Sequence, residues 1–144
     1  MNRGAWFWKL AVAWALVIFG LSSIPGASFP ASKIFSYDKL AHAGVYAVLG
    51  AFCFLALRTR NASKGTGVLI AMSGVAATIY GCTDEIHQLF VAGRSADPRD
   101  VMADAVGGFT GAFVASMLVA AADRRSTPPI AAPSVPPPNS NRAS

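Results

Sequence analysis

Residues 83–104, TDEIHQLFVAGRSADPRDVMAD, decide how this chain is organised. They contain five of the seven acidic residues and one of the two histidines, and they join two long apolar stretches. Their charges therefore fall at or just inside a membrane boundary. Ionisable side chains are costly at that depth and usually mark a functional site, so candidate functional residues are sought here first.

The composition indicates a membrane protein with one domain. Of 144 residues, 53% are hydrophobic and 13% are charged, whereas about a quarter of a soluble domain is charged. The net charge of +5 does not indicate a nucleic-acid partner. The basic residues lie between the apolar stretches, where membrane topology places them, and do not form one stripe with interleaved aromatics.

Four apolar spans are predicted, at about residues 6–24, 40–57, 66–90 and 101–122. Each is close to the roughly 20 residues that cross a bilayer. The first is interpreted as a retained helix, because Pro25 stands where a signal-peptide cleavage site needs a small residue. Pro25, Gly26 and Pro30 end this span and open a loop to Tyr37, and residues 93–99 form a second loop.

The predicted fold is therefore an all-α, polytopic bundle of four transmembrane helices over residues 1–125. Residues 126–144 hold six of the nine prolines and almost no large apolar side chain. This composition predicts a disordered tail.

The distribution of Lys and Arg predicts the orientation. Seven basic residues lie at the N-terminus, in the middle loop and after the last span, and four lie on the opposite side. The positive-inside rule then places both termini, and the tail, in the cytoplasm. Six of the seven acidic residues fall on the outer side.

Small residues recur four apart in two spans, as Ala43, Ala47 and Ala51 and as Ala103, Gly107, Gly111 and Ala115. Such faces allow close helix contact, which is interpreted here as packing within the bundle rather than dimerisation. Cys53 and Cys82 are expected at different depths, so a disulfide is not expected. Both are predicted to be buried between helices.

Three polar clusters carry the candidate chemistry. One helix face holds Asp38, His42 and Tyr46, four residues apart, and the third span ends in a second cluster. A third cluster leads into the last span. The predicted topology puts all three clusters at the outer end of the bundle. The candidate binding residues are Asp38, Lys39, His42, Tyr46, Asp84, Glu85, Gln88, Arg94, Ser95, Asp97, Asp100 and Asp104.

Three hypotheses compete for this patch. It could be a structural network in which Lys39 or Arg94 neutralises Asp84, Glu85 or Asp104 and each histidine satisfies a carboxylate. It could be a groove in which arginines grip a phosphate or carboxylate head group. It could also be catalytic, with His42, His87 and the carboxylates holding a metal or acting as general acid and base.

The sequence predicts neither a metal site nor a cofactor. Residues 84–88, DEIHQ, lack the first histidine of the zinc pattern His-Glu-x-x-His. No Gly-x-Ser-x-Gly nucleophile motif occurs. An enzyme is therefore the least favoured of the three hypotheses.

The polar residues, in their order along the chain, resemble those of VanZ-like proteins, which are small bacterial membrane proteins. The matching pattern is Asp38-Lys39-x-x-His42 with Tyr46 and Gly50, then Asp84-Glu85-x-x-Gln88, Gly93-Arg94-Ser95, Asp97, Asp100 and Gly107. Ser22-Ser23-Ile24-Pro25 also fits the usual end of the first helix. Asp104 departs from the pattern, since asparagine is common there, so a role for position 104 is not carried over.

The resemblance implies a multi-pass protein of the bacterial inner membrane with an accessory role in the cell envelope. The family is named after a factor associated with resistance to teicoplanin, a glycopeptide that acts on wall precursors outside the membrane. The expected partners are the bilayer and a lipid-linked wall precursor, a lipoglycopeptide or an envelope protein. A membrane enzyme that acts on a lipid head group and a structural subunit of an envelope complex are the alternatives.

Overall fold

The computed structural model describes residues 3–26, 34–61 and 63–126, with the side chains of residues 3 and 34–38 left out. The described residues form four α-helices: α1 (Arg3–Ser22), α2 (Ile34–Arg60), α3 (Thr66–Gln88) and α4 (Pro98–Ser126). All four are long and apolar enough to cross a membrane, and no strand occurs in the described part. The predicted all-α class and the four spans are confirmed.

Three helix starts differ from the prediction, and the first of them is that of α1, which begins at Arg3 rather than at residue 6. Helix α2 begins at Ile34, inside the expected loop, and α4 begins at Pro98 rather than Val101. The start of α4 has a clear local cause, because the Asp97 Oδ1 accepts the backbone N–H of Arg99 at 2.8 Å. Asp97 is thus the N-cap, and Pro98 fits the first helical position, where no N–H is needed.

The other end of α4 also extends beyond its predicted limit. The helix continues to Ser126, four residues past the predicted end of the span. The expected disordered tail, from residue 127 onward, lies outside the described residues.

Helices α2 and α4 share the closest seam of the bundle. A Cβ added to Gly107 would meet the carbonyl oxygen of Ala43, and one added to Gly111 would meet that of Ala47. A Cβ on Gly50 would likewise run into the backbone of Gly108. The small faces predicted on the two spans therefore pack against each other within one chain, as close backbone approach in lipid requires.

Helix α1 is attached mainly to α2 and is fixed by hydrogen bonds to backbone carbonyls. The Trp14 indole N–H donates to the Val45 carbonyl at 2.8 Å, and the Tyr80 hydroxyl donates to the Ala15 carbonyl at 2.6 Å. Between apolar surfaces, directional polar contacts of this kind fix the rotation of a helix against its neighbours.

Large apolar side chains cover the outside of the bundle. Leu16, Leu40, Ile79 and Leu118, one from each helix, are all more than half exposed, as expected for surfaces that face lipid. The two cysteines are free, and Cys53 is buried as predicted. The prediction for Cys82 was wrong, because this residue points out of the bundle from α3 and is exposed.

Candidate functional site: a polar cavity at one end of the bundle

The end of α1, the start of α2, the end of α3 and the start of α4 meet around a cavity of about 500 Å³. Ile18, Leu21 and Val45 contribute apolar wall. The polar lining includes Lys39, His42, Tyr46, Asp84, Gln88, Arg94, Ser95, Asp97 and Asp100. Nine of the twelve sequence-predicted binding residues therefore line one space, and this space has both an apolar and a charged part.

Two of the predicted residues lie elsewhere, and the side chain of a third is not described. Glu85 and Asp104 are buried behind the lining, at 4% and 0% exposure. Asp38 belongs to α2, and its side chain lies outside the described residues. Glu85 and Asp104 thus form a second layer of carboxylates behind the residues that line the cavity.

Lys39 links α2 to the start of α4. Its ammonium donates to Asp97 Oδ2 at 2.9 Å and also bonds to Asp100 Oδ1. The structural hypothesis had Lys39 or Arg94 neutralising Asp84, Glu85 or Asp104, so these Lys39 partners differ from the expected ones. Asp97 lies in the loop before α4, where the Arg99 backbone N–H and the Lys39 ammonium hold its pKa below the ordinary value.

His42 pairs with Asp104 across the same seam. Its Nδ1 lies 3.0 Å from Asp104 Oδ1, and the pair is possible only because α3 has a glycine opposite. A Cβ on Gly81 would meet Asp104 Oδ2 at 2.5 Å. Gly81 is therefore a positioning residue for the Asp104 carboxylate, which is fully enclosed between α2, α3 and α4.

Asp84 and Glu85 share Gln88 as a partner at the end of α3, and each has a further partner of its own. The Ser22 hydroxyl donates to Asp84 Oδ2 at 2.7 Å, and the Gln88 amide reaches both Asp84 Oδ2, at 3.3 Å, and Glu85 Oε1, at 3.2 Å. The other oxygen of Glu85 accepts the Asp97 backbone N–H at 2.8 Å. Glu85 therefore fixes the loop that carries the cap of α4.

The α3–α4 loop closes the cavity against the end of α1. Arg94 Nε donates to the Ile24 carbonyl at 3.2 Å, and the Gly26 N–H donates to the Ala92 carbonyl at 3.0 Å. Gly93 has φ 73°, a left-handed conformation that favours glycine. This turn brings Arg94 to the cavity, with the exposed Ser95 beside it.

His87 does not follow the expectation that each histidine satisfies a carboxylate. Its Nε2 lies 3.0 Å from the Ser23 hydroxyl, and its ring lies 4.4 Å from that of Phe19. His87 therefore helps to fix α1 against α3. It is not among the residues that line the cavity.

Two buried polar atoms of cavity-lining residues have no hydrogen-bond partner among the described residues. They are the Tyr46 hydroxyl and Asp84 Oδ1. The Tyr46 ring is fully buried and lies parallel to that of His42, with 6.5 Å between centroids. Buried polar groups are rarely left unsatisfied, so these atoms indicate where an additional group would be received.

The cluster also contains a set of metal-type donors. One potential ligand atom each from His42, Glu85 and Asp100 lies within 4.8 Å of the others. Sequence spacing missed this set because the three residues come from three different helices. It also missed Ser22 and Gly81, whose roles depend on which helix each faces.

The family comparison agrees with this architecture. A family model described as VanZ/LLP1 matches residues 6–119, which include α2, α3, most of α1 and α4, and the whole cavity lining. No curated protein and no solved structure shows a significant match to the chain. The four apolar helices of the chain indicate a multi-pass membrane protein. Because the family match covers most of its length, the chain belongs to the VanZ/LLP1 family.

Proposed function

We propose that this protein binds the head-group end of a membrane amphiphile in the cavity. The observation that carries the proposal is the division of the lining into apolar wall and charged end. The volume of about 500 Å³ is in the ordinary range for small-molecule sites, about 300–1,000 Å³. A lipid-like ligand would place its chain along Ile18 and Leu21 and its head group near Lys39 and Arg94.

The surroundings of the cavity support a ligand that comes from the membrane. Leu40, Phe90 and Met102 lie at the same end of the bundle and are strongly exposed, Phe90 at 83%. These side chains would face lipid around the rim, and the charged end would then lie within reach of lipid head groups. A water-soluble ligand would not need such a rim.

The orientation of the protein is part of the proposal. The bias of Lys and Arg favours an inner-membrane protein with both termini in the cytoplasm, so the cavity would open in the outer leaflet. A lipid-linked wall precursor or a lipoglycopeptide is met at that place. An accessory role in the cell envelope, including resistance to teicoplanin-type glycopeptides, is consistent with this position and with the family.

The test measures binding of a lipid-linked wall precursor to the purified full chain in mild detergent. Native mass spectrometry detects the complex, and phosphatidylglycerol is added as the competing lipid. Ala41 lines the cavity and is exposed at its rim. Ala41→Trp should fill the entrance and lower the bound fraction of precursor. Ala71→Trp places the same side chain at an exposed position of α3 away from the cavity and should leave binding unchanged.

Arg94 gives a second, independent comparison. Arg94→Ala should weaken precursor binding about tenfold or more, since a hydrogen bond to a charged group contributes about 1.5–3 kcal/mol. Arg58→Ala removes a guanidinium at the opposite end of the bundle, where it bonds to Asp123, and serves as the control. If folded Ala41→Trp and Arg94→Ala both bind like wild type, the cavity is not the binding site.

A second candidate function is acid–base chemistry on the same head group. The carboxylate-held imidazole of His42, 3.0 Å from Asp104, favours it because this arrangement orients a general base. Incubating the precursor with the protein and following its products by mass spectrometry would detect turnover. Turnover that persists in the double variant His42→Ala, Glu85→Gln would exclude this assignment.

A further inference from the structure

The charged end of the cavity holds more buried carboxylate than its contacts neutralise. Asp84, Glu85, Asp100 and Asp104 are all at most 5% exposed. Among the described side chains, Lys39 bonds Asp100 and also Asp97, and His42 pairs with Asp104. Asp84 and Glu85 have no cationic partner among these side chains. Carboxylates removed from water need a counter-charge, a proton or several donors.

The partnerless atoms are independent of this charge argument. Tyr46 and Asp84 both line the cavity, and both are at most 3% exposed. The Tyr46 hydroxyl and Asp84 Oδ1 are nevertheless without a partner among the described residues. A carboxylate oxygen and a phenol oxygen can both accept from a metal-bound water, and the phenol can also donate.

The donor set has the composition and spacing of a cation site. The ligand atoms of His42, Glu85 and Asp100 lie within 4.8 Å of one another. With metal–ligand bonds of about 2.0–2.2 Å, the donors of a tetrahedral site lie about 3.3–3.6 Å apart, so shifts of at most about 1.5 Å would close the set on an ion.

The residues behind the donors are arranged as supports. A metal-binding imidazole ordinarily donates its other N–H to a carboxylate or carbonyl. Asp104 Oδ1, 3.0 Å from His42 Nδ1, is such a carboxylate. Glu85 is oriented in the same way by the Gln88 amide and the Asp97 backbone N–H.

We propose that His42, Glu85 and Asp100 bind a divalent cation at the charged end of the cavity. One imidazole and two carboxylates suit zinc or manganese better than magnesium or calcium, which prefer oxygen donors alone. Three protein ligands leave coordination positions open to the cavity. The inference stands whether or not the cavity binds an amphiphile, and a phosphate or carboxylate head group could fill an open position.

The experiment measures metal binding directly. The full chain, purified without a polyhistidine tag and stripped with EDTA, is dialysed against Zn²⁺ or Mn²⁺, and its metal content is measured by mass spectrometry. Wild type should retain one ion per chain. Glu85→Gln and Asp100→Asn should each weaken the affinity tenfold or more, whereas Asp123→Asn, at an exposed carboxylate of the opposite end, should bind like wild type.

A second measurement needs only the wild-type protein. Co²⁺ added to the stripped chain should give visible d–d absorption that one equivalent saturates and that Zn²⁺ displaces. If the chain retains neither Zn²⁺ nor Mn²⁺ and gives no saturable Co²⁺ spectrum, the proposal is wrong. Protons shared between the carboxylates would then compensate their negative charge. Unchanged affinity in folded Glu85→Gln and Asp100→Asn would also overturn the proposal, because the ion would then be bound elsewhere.

Discussion

Gly81→Ala is the smallest change that should disturb the buried end of the cavity. The new Cβ would lie 2.5 Å from Asp104 Oδ2, 2.9 Å from its Cβ and 3.1 Å from its Cγ. Ordinary contact begins near 3.4 Å. Rotating the carboxylate cannot relieve the contact with the Asp104 Cβ, which is fixed to the backbone, so α3 and α4 must move apart.

The size of the effect follows from these distances. The carboxylate oxygen must move by about 0.9 Å and the Cβ by about 0.5 Å, and overpacking of this kind costs about 1–3 kcal/mol. Weakening the 3.0 Å contact between His42 and Asp104 adds about 1 kcal/mol, a usual value for a polar contact between membrane helices. Removing a helical glycine returns up to about 1 kcal/mol. The net loss in the free energy of unfolding should be about 2 kcal/mol.

Gly44→Ala is the matched control, because a Cβ at Gly44 in α2 meets nothing within 4 Å. It should be as stable as wild type, or more stable. Unfolding is followed by far-UV circular dichroism as SDS is added to mixed micelles. Tryptophan fluorescence reports α1 separately, since the three tryptophans, at positions 6, 8 and 14, all lie on that helix. If Gly81→Ala is as stable as Gly44→Ala, the reasoning about the enclosed carboxylate is wrong.

Three further predictions use the same unfolding assay on the metal-free protein. Tyr46→Phe removes a hydroxyl that has no partner among the described residues, so it should not destabilise the protein. Tyr80→Phe removes a 2.6 Å hydrogen bond to an α1 carbonyl and should lower the free energy of unfolding by about 0.6–1.7 kcal/mol. A larger loss for Tyr46→Phe than for Tyr80→Phe would contradict the assigned contacts. Gly111→Ala drives a Cβ into the Ala47 carbonyl and should cost about 1–3 kcal/mol, and wild-type stability would mean that the α2–α4 seam is looser than described. Arg58→Ala removes an exposed ion pair and should change stability by less than about 1 kcal/mol; a larger loss would show that the pair is shielded from solvent.

The sequence predicted the parts of the fold that depend on local composition. Four apolar stretches of bilayer length predict four helices, because only a helix satisfies its own backbone in lipid. The four-residue spacing of small residues predicted faces that the structure pairs across the α2–α4 seam, at Gly107 with Ala43 and Gly111 with Ala47. Helix ends were less predictable, since the start of α4 depends on the cap by Asp97.

The candidate site was only partly predictable for a related reason. Alternating topology places the polar ends of the four spans together, so most of the lining residues could be named from their position alone. Their partners could not. Lys39 bonds to Asp97 and Asp100, and His87 contacts Ser23, because partner choice depends on the rotation of each helix about its axis. The same rotation exposes Cys82, which the sequence predicted to be buried.

The sequence by itself determined the class of protein, the number of spans and the set of ionisable residues at one end. These follow from hydrophobic length and from the high free energy of a charge in lipid. Only the tertiary structure decided that His42, Glu85 and Asp100 converge and that Gly81 leaves room for Asp104. The reason is physical: a side-chain pair between helices is set by their separation and relative rotation, and neither is encoded in the spacing of residues along one helix.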